Sequence, residues 1–427
     1  MDTNNSHFSI IAVTFLMLFA FFACSVEKKE MVERIDIEGS IKNFQQLKLS
    51  EICHDIEYII LENNNLCLIN KIKYLEVSSK YILIYDWEKC LLFSRSGKFL
   101  TQISRQGRGP GEYSHPCQIR IIDNEIFIPD ANRNIIRIYN TKGNFIENVK
   151  SPGKFTNQFQ INNYLPLTDS LFLVQIPNLT GQESTRISLI NRKGEVLINY
   201  ENTTFFNRER PRFDSSDLAA QFYFYSNKVR YKELLNDTVW QIEQNKLIPI
   251  YVFDRGKFGT PNNIRGLPIK IFHNEITKSI FINNLYEIKG YVILKTNFMK
   301  HYPFEFFSPT LLTGDFAAKT PHNILGVYNK MKKKFFFIEP TNIRDQIYPT
   351  GIENDIDGGI NFIPEYKLGD ASLVSWLNAY DLKIYTSSET FLNSSPKFPE
   401  KKKQLEKLSN SLTENDNPVL MLVKLKE

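Results

Sequence analysis

The stretch EIFIPDANRNIIRIYNTKGNFIENV, Glu125 to Val149, decides the reading of the chain. It holds an apolar strand ending at Asp130, a polar turn, a second strand, the tight turn Asn140-Thr141-Lys142-Gly143, and a third strand. Two further stretches share its layout: YILIYDWEKCLLFSRSGKFLTQI, Tyr81 to Ile103, and SLFLVQIPNLTGQESTRISLINRKGEVLINY, Ser170 to Tyr200. The turn glycines Gly97, Gly143 and Gly194 lie 46 and 51 residues apart. Glycine there supplies the positive φ that a short hairpin needs. Asp86 and Asp130 end equivalent strands 44 residues apart. A repeat of this length made of successive antiparallel strands is the signature of a β-propeller, whose sheets bury their faces against one another. In YILIYD both alternating sets are apolar, as a strand covered on both faces requires.

Later units are less regular. Asp237–Asp254 reads as a hairpin, YEIKGYVILKTNF and NILGVYNKMKKKFFFIEP as a fifth unit, and GGINFIPEYKLGDASLVSWLNAYDL as a sixth. Leu405, Leu408 and Leu412 carry helical spacing within Pro396–Asn417, which predicts a short helix before the last strand. The early strand Asp55–Glu62 and the last strand Pro418–Lys426 are expected to close the ring from opposite ends of the chain. The expectation is an all-β, six-bladed propeller of four-stranded antiparallel blades over residues 41–427. High aromatic content, with 33 Phe and 20 Tyr among 427 residues, suits a strand-rich fold. The net charge of +5 is too small for this length to imply a nucleic-acid partner.

Upstream, Phe8 to Ala23 is an almost unbroken apolar run of 16 residues ending in Ala23-Cys24. It is shorter than a membrane-spanning helix needs and suits the core of a signal peptide. Residues 1–23 are therefore read as a lipoprotein signal, Cys24 as the lipid attachment site, and residues 24–40 as a tether. The n-region lacks Lys and Arg, and Phe21 and Phe22 depart from the usual residues before the cysteine. A membrane partner through the anchor and a cell-envelope location follow. The other cysteines, Cys53, Cys67, Cys90 and Cys117, show no C-x-x-C spacing, and burial as free thiols is favoured over pairing or zinc.

Six segments occur in order: the lipoprotein-like start, LKLSEICHDIEYIILE, GRGPGEY, YKELLNDTVWQI, PIYVFDRGKF and NPVLMLVKLK. Together they resemble the six-bladed β-propeller lipoproteins of Bacteroidota, a family with similarity to NHL and TolB-like propellers. The resemblance implies a fold and an envelope location, and no established reaction.

The Gly-rich segment ISRQGRGPGEYSHP, Ile103 to Pro116, matches neither a P-loop nor a dinucleotide-binding spacing, and no helix follows it. It reads as an inter-blade connector in which Gly107, Gly109, Pro110 and Gly111 shape the turns and a salt bridge of Arg108 with Glu112 fixes the loop. The alternative is a polar ligand site formed by Arg105, Arg108, Glu112 and His115. No metal is expected from the scattered histidines. ENDIDGG, Glu353 to Gly359, lacks a calcium-loop register and reads as a solvated turn. No nucleophile motif occurs, and no cofactor is implied. The function expected is binding or scaffolding of a glycan, peptide or protein partner. The alternative is a lyase or lactonase-like enzyme with a site in the central channel.

Overall fold

In the computed structural model the repeats fold as antiparallel meanders set around one axis. The residues described are 32–114, 116, 118–130, 133–150, 163–208, 215–298, 323–339 and 351–426. By its contacts the chain divides into Met1–Glu33 and Arg34–Glu427, and the second unit holds the ring. Strands β1 (Glu33–Asp36), β2 (Phe44–Gln45) and β3 (Cys53–Ile60) precede the first meander. Blade one is β4 (Tyr74–Val77), β5 (Tyr81–Tyr85), β6 (Cys90–Ser94) and β7 (Phe99–Gln102). Blade two is β8 (Arg120–Ile122), β9 (Glu125–Asp130), β10 (Ile135–Asn140) and β11 (Phe145–Lys150). Blade three is β12 (Tyr164–Pro166), β13 (Leu171–Gln175), β14 (Thr185–Asn191) and β15 (Val196–Glu201). Blade four is β16 (Ala220–Tyr225), β17 (Lys228–Glu233), β18 (Thr238–Glu243) and β19 (Lys246–Asp254). Blade five is β20 (Phe281–Ile288), β21 (Tyr291–Asn297), β22 (Asn323–Asn329) and β23 (Lys334–Ile338). Blade six combines β24 (Tyr366–Leu368), β25 (Ser372–Leu377) and β26 (Val419–Leu425) with β3.

The fold is the six-bladed propeller expected, and β3 pairs with β26 from Ile60↔Val419 to Cys53↔Leu425 to close the ring. In blades one to three the repeat units visible in sequence are the second, third and fourth strands. The first strand lies innermost, only three or four residues long in those three blades, and first strands of neighbouring blades pack side by side around the axis. The doubly apolar character of β5 now has a cause. Ile82 and Ile84 pack with Val374, Leu420 and Leu422 of blade six, whereas Leu83 and Tyr85 pack with Ile121, Ile126 and Ile128 of blade two. Alternate residues of one strand thus glue two different neighbours.

Two blades carry five strands rather than four. β1 adds to the outer edge of β19, and β2 runs parallel to β23 with Phe44 opposite Phe337. The expected tether therefore ends earlier than residue 40. Ile35 and Ile37 are buried between blades four and five, and Leu47 and Leu49 between five and six. The segment covers two sheet edges on its way to β3, which removes unpaired backbone from solvent. A helical insertion joins β25 to β26, ending in the helix Pro399–Ser411, with Leu405 and Leu412 buried against Leu382 and Phe391.

The turn glycines do more than permit a positive φ. A Cβ on Gly97 would run into the carbonyl oxygen of Ile60, one on Gly143 into that of Gln102, and one on Gly194 into that of Lys150. Each carbonyl belongs to the last residue of the preceding blade's outer strand. The second residue of the turn makes the same inter-blade step in two blades. Arg95 pairs with Glu57 of blade six at 3.1 Å, and Arg192 with Glu147 and Glu125 of blade two at 2.6 and 2.8 Å.

Candidate functional site

Because every first strand runs the same way, one end of the axis (the upper face) gathers the connections between blades. The other end gathers the hairpins that follow the first strands. The first strands surround a central cavity of about 780 Å³. Its wall is sewn shut between every pair of neighbours. Glu76 of β4 receives Arg120 Nη1 of β8 at 2.8 Å and the hydroxyl of Tyr366 of β24. Tyr164 donates to the Phe127 carbonyl at 2.9 Å, and Asn163 to that of Leu218 at 2.7 Å. Gln221 bonds both backbone groups of Leu285 at 2.9 Å, copying a strand pair with its amide. Lys295 meets Glu365 at 2.6 Å. At the lower end Lys367 Nζ reaches the Phe224 carbonyl at 2.9 Å and Ser226 N–H the Asp370 carboxylate at 2.8 Å. These bonds cross from blade six to blade four and narrow the lower mouth.

The cavity wall mixes aromatic and polar groups. Phe222, Tyr286, Tyr366 and Trp376 line it beside Gln118, Asn163 and Asn283. Asn283 is exposed and sits at the bulge of β20, where the register with β21 slips between Ile282 and Asn284. A bulge re-aims side chains and often borders a site. Gln118 Oε1 and Arg120 Nε are buried in the wall with no hydrogen-bond partner among the described residues. At the upper mouth the ammonium of Lys73 lies 3.6 Å over the ring of Trp87, which is 54% exposed. Such a wall suits a ligand with both apolar faces and hydrogen-bonding edges.

Lys232, at the upper end of β17, also lines the cavity and is 4% exposed. Its ammonium donates to the main-chain oxygen of Glu233 at 2.9 Å. Burial, with Arg255 adding repulsion, brings its pKa down to about 7.

The Gly-rich connector lies on the upper face between β7 and β8, and Arg105, Arg108 and Glu112 stand apart from the cavity wall. Glu112 pairs with Arg105 at 2.5 Å, not with Arg108, and accepts the Gly109 N–H at 2.7 Å. Those two donors, Gly109 first, hold its carboxyl below the usual carboxylate range. A Cβ on Gly107 or Gly109 would meet the Glu112 carboxylate, and Gly111 has φ +75. The loop is pinned by Tyr113, which is fully buried and accepts the Cys90 N–H at 3.1 Å, and by Tyr139, which donates to the Gly111 carbonyl at 2.9 Å. Arg108 is exposed, and its carbonyl accepts from Arg133 at 3.0 Å. Cys24, His115 and Cys117 lie outside the described residues.

ENDIDGG is not a solvated turn. Asn354 and Asp357 are 4% and 1% exposed, and Asp357 accepts from Tyr58 at 2.9 Å and Asn354 at 2.7 Å. Burial raises its carboxyl above the usual range. The loop fastens the insertion of blade six to β3. Cys53, Cys67 and Cys90 are free and buried. Among the described residues no group of three His, Cys, Asp or Glu is placed to hold a metal.

The wall residues Glu76, Arg120, Gln221 and Glu365 escaped the reading of the sequence. Their signal is faint: a single polar residue within or beside the first strand of a blade.

A family model matches residues 32–424. The chain belongs to DUF4934, a domain of unknown function. This DUF4934 chain shares its fold with a Bacteroides fragilis protein described as exported, at TM-score 0.61 and 16% identity over 93% of this chain and 100% of that one. It also matches a member of the DUF4221 family from Bacteroides vulgatus at TM-score 0.48 and 11% identity, covering 88% and 97%. No curated protein matches it in sequence.

Proposed function

We propose that the protein is a binding propeller of the cell envelope, tethered to the membrane through a lipid on Cys24, that receives part of a glycan, peptide or protein partner in its central cavity. The observation that carries the reading is the cavity, walled by aromatic rings and amides on and beside the first strands and bordered by the exposed Trp87. Specificity would come from the few polar groups of the wall, affinity from the rings. The envelope location rests on the apolar run Phe8–Ala23 ending at Cys24.

The test is binding of the soluble chain to glycan and peptide arrays, beside an Asn283→Trp variant that fills the cavity from an exposed position. The expected result is a set of ligands lost in the variant at unchanged melting temperature. Ligands that bind both proteins alike, or none at all, contradict the cavity as the site. Cys24→Ala with membrane fractionation tests the anchor; a variant that stays in the membrane argues against lipidation.

A further inference from the structure

The charges around Lys232 do not balance. Among the described residues, the charged groups that act on it are Arg255, Asp237 and Glu233. Both carboxylates are already engaged by arginines. Asp237 is bonded by Arg255 Nε, and Glu233 lies 3.5 Å from Arg186 Nη1 and accepts the Tyr231 hydroxyl at 3.1 Å. Arg186 and Arg255 are 2% and 1% exposed, so both guanidinium charges are fixed in the interior. Among the described residues, three basic groups, Arg186, Arg255 and Lys232, therefore share two carboxylates. The one that is left with a single main-chain acceptor is the one that lines the cavity. A buried ammonium with so few partners is costly unless an anion joins it.

We infer that the cavity recognises a saccharide bearing a carboxylate, of the uronic-acid class, and that the carboxylate seats against Lys232. The inference rests on the binding role proposed above and names its ligand class. Aromatic rings such as Trp376 and Tyr366 suit the C–H faces of a sugar ring, and the amides of Asn163, Gln118 and Asn283 suit its hydroxyls. The carboxylate supplies the missing anion, and Lys232 takes up a proton when it arrives. The lowered pKa of the free amine makes that uptake measurable, because at pH 8.5 the amine is mostly neutral before binding.

The test is isothermal titration of the soluble chain with a panel of oligouronate trimers and their methyl esters. It is run at pH 8.5 in buffers of different ionisation enthalpy. At least one trimer is expected to bind with uptake of about one proton per ligand, and its ester about tenfold or more weaker. Lys232→Met is expected to keep its melting temperature and lose both the proton uptake and the preference for the acid. An ester that binds as tightly as the acid, or uptake that persists in Lys232→Met, overturns the assignment. If no trimer binds while array ligands still depend on an open Asn283 position, the ligand class is wrong and the cavity reading stands. If the array ligands are also indifferent to Asn283→Trp, the cavity reading falls with it.

Discussion

Gly97 and Gly290 both have positive φ, at +88 and +81, yet they hold different jobs. Around Gly290 a Cβ would meet nothing within 4 Å, whereas at Gly97 it would strike the Ile60 carbonyl on the neighbouring blade. Gly290→Ala should therefore cost only the left-handed backbone penalty, about 1 kcal/mol. Gly97→Ala should cost about 3 kcal/mol or more, because backbone must shift on both sides of the seam where the ring closes. Urea denaturation of the two variants checks this, and equal losses would show that Gly97 is only a turn former. The same residue scale separates Glu112 from its sequence neighbours. Its carboxylate folds back over Gly107 and Gly109 and takes Arg105 as its partner. Gly107 and Gly109 are therefore explained by a side chain rather than by a bound phosphate.

At the scale of elements, the second turn position links blades. Arg192 makes a bidentate bond to Glu125, 2.8 and 3.0 Å, and reaches Glu147 at 2.6 Å, joining the turn of blade three to two strands of blade two. It is about three-quarters buried, so the pair is less screened than a surface ion pair. A double-mutant cycle of Arg192→Ala with Glu125→Ala should give a coupling of about 1 kcal/mol. Additive losses would mean that the turn is held by its glycine contact alone. Blade two has Thr141 at the equivalent position and makes no such pair, although its Gly143 keeps the carbonyl contact. The backbone contact is thus the common rule and the arginine an addition to it.

At the scale of the molecule, much of the ring was legible in the sequence. SRSG, NTKG and NRKG mark the same turn in three blades, and the alternating apolar sets of YILIYD announce a strand glued on both faces. The closing strand pair was legible because each end of the chain offers one strand without a unit of its own. The innermost strands were not. β8 and β12 are three residues long and too short to show a period, and their polar groups answer to partners in another blade, Arg120 to Glu76 and Tyr164 to the Phe127 carbonyl. Burial of Asp357 was hidden for the same reason, since its partner Tyr58 lies 299 residues upstream. The site is a property of the closed ring, where Glu76 joins Arg120 and Tyr366 from three different blades.

The claim that the cavity, and not the Gly-rich connector, receives the ligand is open to one direct measurement. Hydrogen–deuterium exchange of the soluble chain, with and without a bound array ligand, reads both regions at once. New protection is expected in β4, β8, β16 and β20, with residues 105–114 unchanged. Protection confined to residues 105–114, with the first strands unaffected, would contradict it.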